Sequence, residues 1–169
     1  MRRFLFLLIF SLISTFGFSQ EDPRSLESSN ELKVNVLYLL GGFPEITYEK
    51  ILDEESAVGI SLGFSIDNDI AQNFIAIPYY RFYFGKKRAA GFFIEGNAAV
   101  FSEESNAYIG SNRTEDELGL GLGISLGGKF LNKKGWIGEL VFGGGRNFIN
   151  EDKINEAYPR FGITIGKRF

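Results

Sequence analysis

The residues of this chain that could do chemistry are charged side chains within otherwise apolar stretches. Glu49, Arg81, Glu95 and Glu139 each interrupt such a stretch, and carboxylates near a guanidinium could form a general acid and base set. The sequence contains no His and no Cys. It therefore lacks the most common general base, the most common metal ligand and any thiol nucleophile. We predict a non-enzymatic protein without cofactor or metal, in which these charges neutralise one another.

These charged residues share one side of the chain with small residues. In residues 118–129, leucine and isoleucine alternate with glycine and serine, and Lys129 continues the small side. Such period-two alternation predicts a β-strand with two unlike faces. Because both signs of charge occur on the small face, the charges can pair inside a barrel. The predicted lumen charge network consists of Glu49, Arg81, Glu95, Lys129, Glu139, Arg160 and Arg168.

Alternation of this kind recurs in eight stretches separated by polar or glycine-rich connections. Pro78 lies within the fourth stretch, and because a closed sheet has no free edge for proline, we expect a β-bulge there. An even number of antiparallel strands predicts a closed up-and-down barrel, all-β, with both termini at one end. The predicted strands cover 32–40, 46–52, 57–66, 74–84, 92–101, 118–129, 136–144 and 158–169.

Two kinds of barrel fit this pattern, and they differ in which face is outside. A soluble exported barrel around an apolar ligand would leave the strand glycines facing water, where they only add an entropic cost. A transmembrane barrel turns the bulky side chains to lipid, where a mid-depth Lys or Arg would cost about 2–4 kcal/mol. Since most charges lie on the glycine face, the sequence favours the transmembrane barrel. Lys50 and Lys167 lie near strand ends, where long side chains reach the polar interface.

The first residues predict export. Met1-Arg2-Arg3 precedes an apolar run and the small-x-small motif Gly17-Phe18-Ser19, which is typical of a cleaved signal peptide. The run is shorter than the roughly 20 residues that a spanning helix needs. We predict a signal peptide over 1–19, a flexible segment over 20–30 and an outer-membrane barrel domain over 31–169.

The connections differ in charge between the two ends of the predicted barrel. The outer loops 67–73, 102–117 and 146–156 are acidic, whereas two of the three inner turns, 85–91 and 131–135, are basic. An acidic rim could bridge through divalent cations to lipopolysaccharide, and ordinary solvated loops are the simpler alternative. The net charge of −3 gives no basis for nucleic-acid binding.

The strand segments resemble those of small outer-membrane barrels. The quoted segments are Leu32-Lys-Val-Asn-Val-Leu-Tyr38, Ile46-Thr-Tyr-Glu49, Pro78-Tyr-Tyr-Arg-Phe-Tyr-Phe84 and Gly121-Leu-Gly-Ile-Ser-Leu-Gly-Gly-Lys129. With the terminal Phe169, they resemble the OmpX type, the OmpA transmembrane domain and an uncharacterised family of outer-membrane barrel domains.

This resemblance implies a monomer that contacts outer-membrane lipid and lipopolysaccharide and is assembled by the barrel-insertion machinery. It also implies a C-terminal insertion signal formed by Phe161, Ile163, Ile165 and Phe169, from which Lys167 departs. Outer-membrane hydrolases and acyltransferases of similar shape rely on His, which is absent. We therefore expect a structural or surface-interaction role with a plugged lumen, and a narrow channel is the further alternative.

Overall fold

The computed structural model describes residues 28–66, 70–104 and 116–169. The predicted signal peptide, most of the predicted flexible segment and the acidic residues of 67–69 and 105–115 lie outside the described residues. No helix in the described ranges is both long and apolar enough to cross a membrane. The elements are β1 (Asn30–Asn35), α1 (Val36–Leu40), β2 (Glu45–Ile51), β3 (Ser56–Phe64), β4 (Gln72–Tyr83), β5 (Gly91–Glu104), β6 (Asp116–Leu131), β7 (Trp136–Asn147) and β8 (Ala157–Arg168).

The eight strands form one closed barrel in sequence order, with β8 returning to β1. Every pairing is antiparallel, which confirms the predicted up-and-down topology. The Phe169 amide donates a hydrogen bond to the Asn30 carbonyl at 2.9 Å, so the first and last strands meet at one end. We term this end, with the connections 52–55, 84–90 and 132–135, the turn end, and the opposite end the loop end.

The bulky apolar side chains lie on the outside of the barrel. Ile60, Leu120 and Ile163 are 39%, 47% and 50% exposed, whereas Glu49 and Arg81 are 0% and 1% exposed. Apolar residues therefore face outward, as predicted, and small and charged residues face inward. This sidedness is the reverse of what a soluble carrier of an apolar ligand requires.

Glycines of the inner face lie directly opposite aromatic rings. Gly119 pairs across the strands with Phe101, and Gly127 pairs with Phe93. A methyl group added at either glycine would overlap the facing ring. Small and large residues thus alternate around the narrow bore, as close packing of an eight-stranded barrel requires.

The first predicted strand is wrong beyond Asn35. Residues Val36–Leu40 form the short helix α1 instead, with Asn35 as the N-cap, its side chain accepting from the Tyr38 amide. These five residues are all apolar, so they satisfy helix and strand patterns equally well. The Gly41 amide closes the helix by donating to the Leu37 carbonyl at 3.1 Å.

Helix α1 covers a place where the barrel wall lacks a strand pair. Strand β1 pairs with β8 only from Thr164 to Arg168, so the preceding half of β8 presents an open edge, which we term the seam. The Asn35 side-chain amide donates to the Phe161 carbonyl at 3.3 Å, and the Tyr38 ring packs edge-on against Phe161 at 5.1 Å. Pro159 lies two residues away on the same edge, where its missing N–H breaks no ladder.

The β-bulge expected at Pro78 is not present. The β4–β5 register is the same at Ala76–Val100 and at Tyr79–Asn97, and the irregularity lies between Gln72 and Phe74. Along the described sheet, Pro78 has a partner on β3 but none on β5. The barrel therefore accommodates the missing N–H by leaving two successive positions, Ile77 and Pro78, unpaired with β5, without inserting a residue.

Candidate functional site: the charged barrel interior

The middle of the barrel holds a cluster of charged side chains drawn from every strand except β3. Within the described ranges it contains five carboxylates and five cations, so its formal charge is zero, and none of its members is more than 4% exposed. We term this cluster the lumen network. Its members are Glu31, Lys33, Glu45, Glu49, Arg81, Glu95, Lys129, Glu139, Arg160 and Arg168.

Arg81 lies at the centre of the lumen network. Its Nη1 donates to Glu49 at 3.0 Å and to Glu139 at 2.8 Å, and its Nε donates to Glu95 at 2.7 Å. The guanidinium carbon also lies 4.1 Å from the centre of the Phe93 ring. One side chain of β4 thereby links β2, β5 and β7 across the bore through charge-assisted hydrogen bonds.

The carboxylate of Glu49 is saturated with donors. Besides Arg81, it accepts from Lys33 at 2.7 Å and from Lys129. The hydroxyls of Tyr79 and Tyr83 also donate to it, at 2.7 and 2.8 Å. A carboxylate has about four lone-pair sites, so these five donors leave no site for a substrate proton.

Two arginines of β8 extend the lumen network toward the two ends of the barrel. Toward the loop end, Arg160 donates to Glu95 at 2.9 Å and to the Ser61 hydroxyl at 3.1 Å. Toward the turn end, Nε and Nη2 of Arg168 donate to Glu31 at 2.8 and 2.7 Å. Glu31 and Arg168 are also register partners of β1 and β8, so this ion pair reinforces the closure of the barrel.

Apolar clusters lie at both ends of the lumen network and fill the bore above and below it. The loop-end cluster consists of Phe43, Ile75, Ile77, Ala99, Phe101, Ile154 and Tyr158. The turn-end clusters consist of Ile51, Ala57, Tyr83, Ala89, Phe93 and Val141, and of Ala90, Leu131 and Ile137. Because apolar walls enclose it, the network lies in a region of low dielectric constant, where ion pairs are strong and unpaired charges are costly.

The structure places all seven lumen residues named from the sequence in this network. It adds three that sequence reasoning did not include, Glu31, Lys33 and Glu45. The signal for them was present, since each lies at a two-residue spacing from another inward residue of its strand. The four residues of the predicted insertion signal all face outward, Phe161 at 37%, Ile163 at 50%, Ile165 at 51% and Phe169 at 57% exposed. Their role in assembly stays a prediction.

The interior contains no arrangement suited to a metal ion in the described ranges, because no three Asp or Glu side chains converge without intervening cations. What the arrangement can do chemically is hold strands together. Its hydrogen bonds link residues as far apart in the chain as Glu31 and Arg168, which lie 137 positions apart. Cross-strand bonds of this kind can hold the register of a closed sheet.

The fold and its interior define a small, closed, membrane-type β-barrel. The chain belongs to the family described as "Protein of unknown function (DUF3575)", whose model matches residues 4–165. Among solved structures, it is similar to the N-terminal β-barrel domain of Pseudomonas aeruginosa OprF, with a TM-score of 0.61 and 13% identity over 84% of this chain and 98% of that one. The likeness at this identity concerns the fold, and it confirms the expected resemblance to OmpA-like barrels. No curated protein matches the chain.

Proposed function

We propose that this protein is an outer-membrane barrel with a structural or surface-interaction role, non-enzymatic, whose lumen is plugged by its charged side chains. The observation that carries the proposal is the lumen network, in which ten buried charged groups balance one another. A bore filled in this way suits a rigid membrane anchor for surface loops better than a conduit or a reaction site.

The alternative of a narrow channel is disfavoured by how the charges are held. Arg81 bridges carboxylates on three other strands at 2.7–3.0 Å. An ion passing this level would have to break several charge-assisted hydrogen bonds in a region of low dielectric constant. The apolar clusters at both ends of the network would also have to open to water.

A catalytic role is disfavoured by the saturation of the interior acids. Glu49 accepts from five donors, and Glu95 accepts from both Arg81 and Arg160. A general base needs a free lone pair within reach of a substrate proton. Glu49 has no free lone pair in this geometry, and Glu95, which also accepts from Asn97, is 0% exposed and out of reach of a substrate.

Membrane placement is supported by the outer surface. Apolar side chains cover the outside of every strand, and an aromatic girdle lies near the turn end, as interfacial aromatics do in membrane barrels. Its members are Phe84, Phe92, Phe130 and Trp136. We propose that the protein is exported, acts as a monomer, is assembled by the barrel-insertion machinery and contacts phospholipid and lipopolysaccharide.

Single-channel recording in planar bilayers tests the plugged lumen. We expect no steady conductance from the wild-type barrel. The matched control is the double variant Arg81→Ser and Glu139→Ser, which keeps the interior neutral but removes two bridging side chains, and any conductance should be greater in it than in the wild type. Steady conductance steps from the wild type would overturn the plug.

Membrane placement has its own test. We expect the boiled and unboiled protein to migrate differently on a gel and to fractionate with sarkosyl-insoluble outer membrane. A folded protein that stays in solution without detergent would overturn it.

A further inference from the structure

The two basic turns of the turn end lie side by side on the barrel. The Lys87 ammonium group, in the β4–β5 connection, donates to the Leu131 carbonyl at the start of the β6–β7 connection, at 3.2 Å. That second connection carries Lys133 and Lys134. Lys167 of β8 joins them, since its ammonium group donates to the Lys134 carbonyl and lies 5.3 Å from the Trp136 ring.

These ammonium groups are available for an external anion. Lys86, Lys87, Lys133 and Lys134 are exposed, and Lys167 is half-buried. Within residues 28–66, 70–104 and 116–169, none of them forms an ion pair. The acidic connection of the same end, 52–55, has its own cation, since Glu54 pairs with Arg88 at 3.7 Å.

An open cleft of about 700 Å³ adjoins this basic cluster, and two of its lysines, Lys86 and Lys87, line the cleft. Lys86, Lys87, Asn132 and Trp136 form its polar rim. The rest of its lining is mostly apolar and includes the outward-facing Phe130, Gly138 and Ile165. The cleft therefore joins a cationic mouth to the lipid-facing surface of the barrel.

A second pocket of about 310 Å³ lies next to this cleft along the outside of β6, β7 and β8, and its lining includes Gly128, Leu140 and Ile163. Leu140 and Ile163 lie two positions along β7 and β8 from Gly138 and Ile165 of the cleft, and we term the cleft's outer side and this pocket together the groove. Gly128 and Gly138 are diagonal neighbours on β6 and β7. A side chain added at either glycine would meet no atom within 4 Å, in contrast to Gly127, which faces the Phe93 ring.

Gly128 and Gly138 form the floor of the groove, and no other described residue of the barrel packs against them. A strand glycine weakens a sheet unless close approach of another group requires it. For the inner glycines the approaching group is an aromatic ring of the barrel. For Gly128 and Gly138, which lie in the groove, an approaching group can come only from outside the barrel.

We propose that this cleft and groove form a binding site for an anionic phospholipid, an inference that rests on the membrane placement proposed above. The lysine cluster holds the phosphate headgroup, and the glycine-floored groove holds one acyl chain. Basic pockets at the membrane surface recognise anionic lipids in this way. Inorganic phosphate would use only the lysines, and a neutral lipid would leave them unpaired. The combination therefore favours an anionic phospholipid.

Trp136 makes the site directly measurable. It is the single tryptophan of the sequence and lies in the rim of the cleft. The full barrel is reconstituted in phosphatidylcholine vesicles that contain a small fraction of either brominated phosphatidylglycerol or brominated phosphatidylcholine, and quenching of Trp136 reports which lipid is adjacent. We expect a preference of about tenfold for phosphatidylglycerol.

Two sets of variants separate the headgroup from the chain. The variant with Lys86, Lys87, Lys133 and Lys134 all changed to Gln should lose the preference, and a single Lys134→Gln change should lower it by up to about fivefold. Gly138→Leu should fill the groove and exclude the acyl chain. The matched control is Gly96→Leu on β5, which is also outward with no atom within 4 Å of an added side chain and should keep the preference.

The outcomes distinguish this inference from the membrane placement itself. Equal quenching by the two brominated lipids, or a preference that survives the quadruple lysine variant or Gly138→Leu, would overturn the lipid site while leaving a membrane barrel in place. Absence of quenching by both lipids would overturn the membrane placement and the site together.

Discussion

Replacing Arg81 by methionine removes the central cation of the lumen network while keeping a side chain of similar length. The change leaves five interior carboxylates with four cations, and it removes three charge-assisted hydrogen bonds of 2.7–3.0 Å. Removing one partner of a buried ion pair costs about 3–5 kcal/mol. Since each 1.4 kcal/mol is about a factor of ten, we expect the folding equilibrium constant to fall by roughly two to three and a half orders of magnitude.

Urea unfolding in detergent micelles, followed by Trp136 fluorescence, measures this loss by linear extrapolation. The matched control is Arg146→Met. Arg146 lies at the surface, with a side chain that is 67% exposed and 3.5 Å from Glu151. An exposed pair of this kind contributes about 0–1 kcal/mol, so the control should unfold nearly as the wild type does.

A charge-balanced double variant tests the physical reason for the effect. Glu139 bonds to Arg81 and Lys33, and Arg81→Met combined with Glu139→Gln restores a neutral interior. We expect the double variant to be more stable than Arg81→Met alone, because an unpaired buried charge is costlier than a missing pair. An Arg81→Met barrel within about 1 kcal/mol of the wild type, like the exposed control, would refute a dry and tightly coupled interior.

Three further predictions concern other parts of the barrel. Gly127→Val should destabilise the barrel by about 1–3 kcal/mol in the same urea assay, because the added side chain overlaps the Phe93 ring. Gly128→Val is the control and should leave the stability unchanged, because its added side chain lies in open space outside the barrel. Equal effects of the two changes would contradict the packing argument. The Ser56 hydroxyl and the backbone amides of the same turn donate to Asp53 and hold the pKa of its carboxyl below the usual value. The ionised carboxylate should therefore stabilise the turn fully at pH values above the usual Asp pKa, and this stabilisation should be lost as the pH falls through the lowered pKa of the folded protein. NMR titration measures this pKa, which should rise toward its usual value in Ser56→Ala, and an unchanged value would disprove the assignment. Deleting Phe169 should lower the yield of assembled barrel in outer-membrane fractions, and an unchanged yield would exclude a role for it as an insertion signal.

The strands of the barrel wall could be predicted from the sequence because the outer side takes bulky apolar residues and the inner side takes small or charged ones, so the two kinds alternate along the chain. In the segment around Val58–Phe64, apolar residues alternate strictly with small ones, and the structure retains that alternation. The same alternation on β5 placed Glu95 and Asn97 inward. Which side of a strand a residue occupies depends only on its position in the alternation, and that alternation can be seen in the sequence.

The interior pairing could not be predicted in the same way. Which carboxylates Arg81 meets depends on the stagger of all eight strands, and that stagger is set by closure of the whole sheet. Seven of the ten network residues were predicted, but Glu31, Lys33 and Glu45 were not, nor was the partner of any charge. Helix α1 was missed for a different reason. Val36–Leu40 is apolar at every position, so only the seam it covers selects a helix over a strand.

Strand β8 pairs with β1 along only part of its length, so the hydrogen-bonded wall of the barrel is not uniform around its circumference. Strand β1 shares only five rungs with each of its neighbours, β2 and β8, whereas the other neighbouring pairs share longer ladders, the β5–β6 pair extending from Gly91 to Glu104. Of these two short junctions, the one with β8 leaves the longer stretch of the partner strand unpaired. Above those rungs a side-chain amide and two aromatic rings act as a latch. We therefore expect local opening of the barrel to begin along this junction, with the amide protons of residues 157–163 that face it exchanging with solvent before those of the longer ladders.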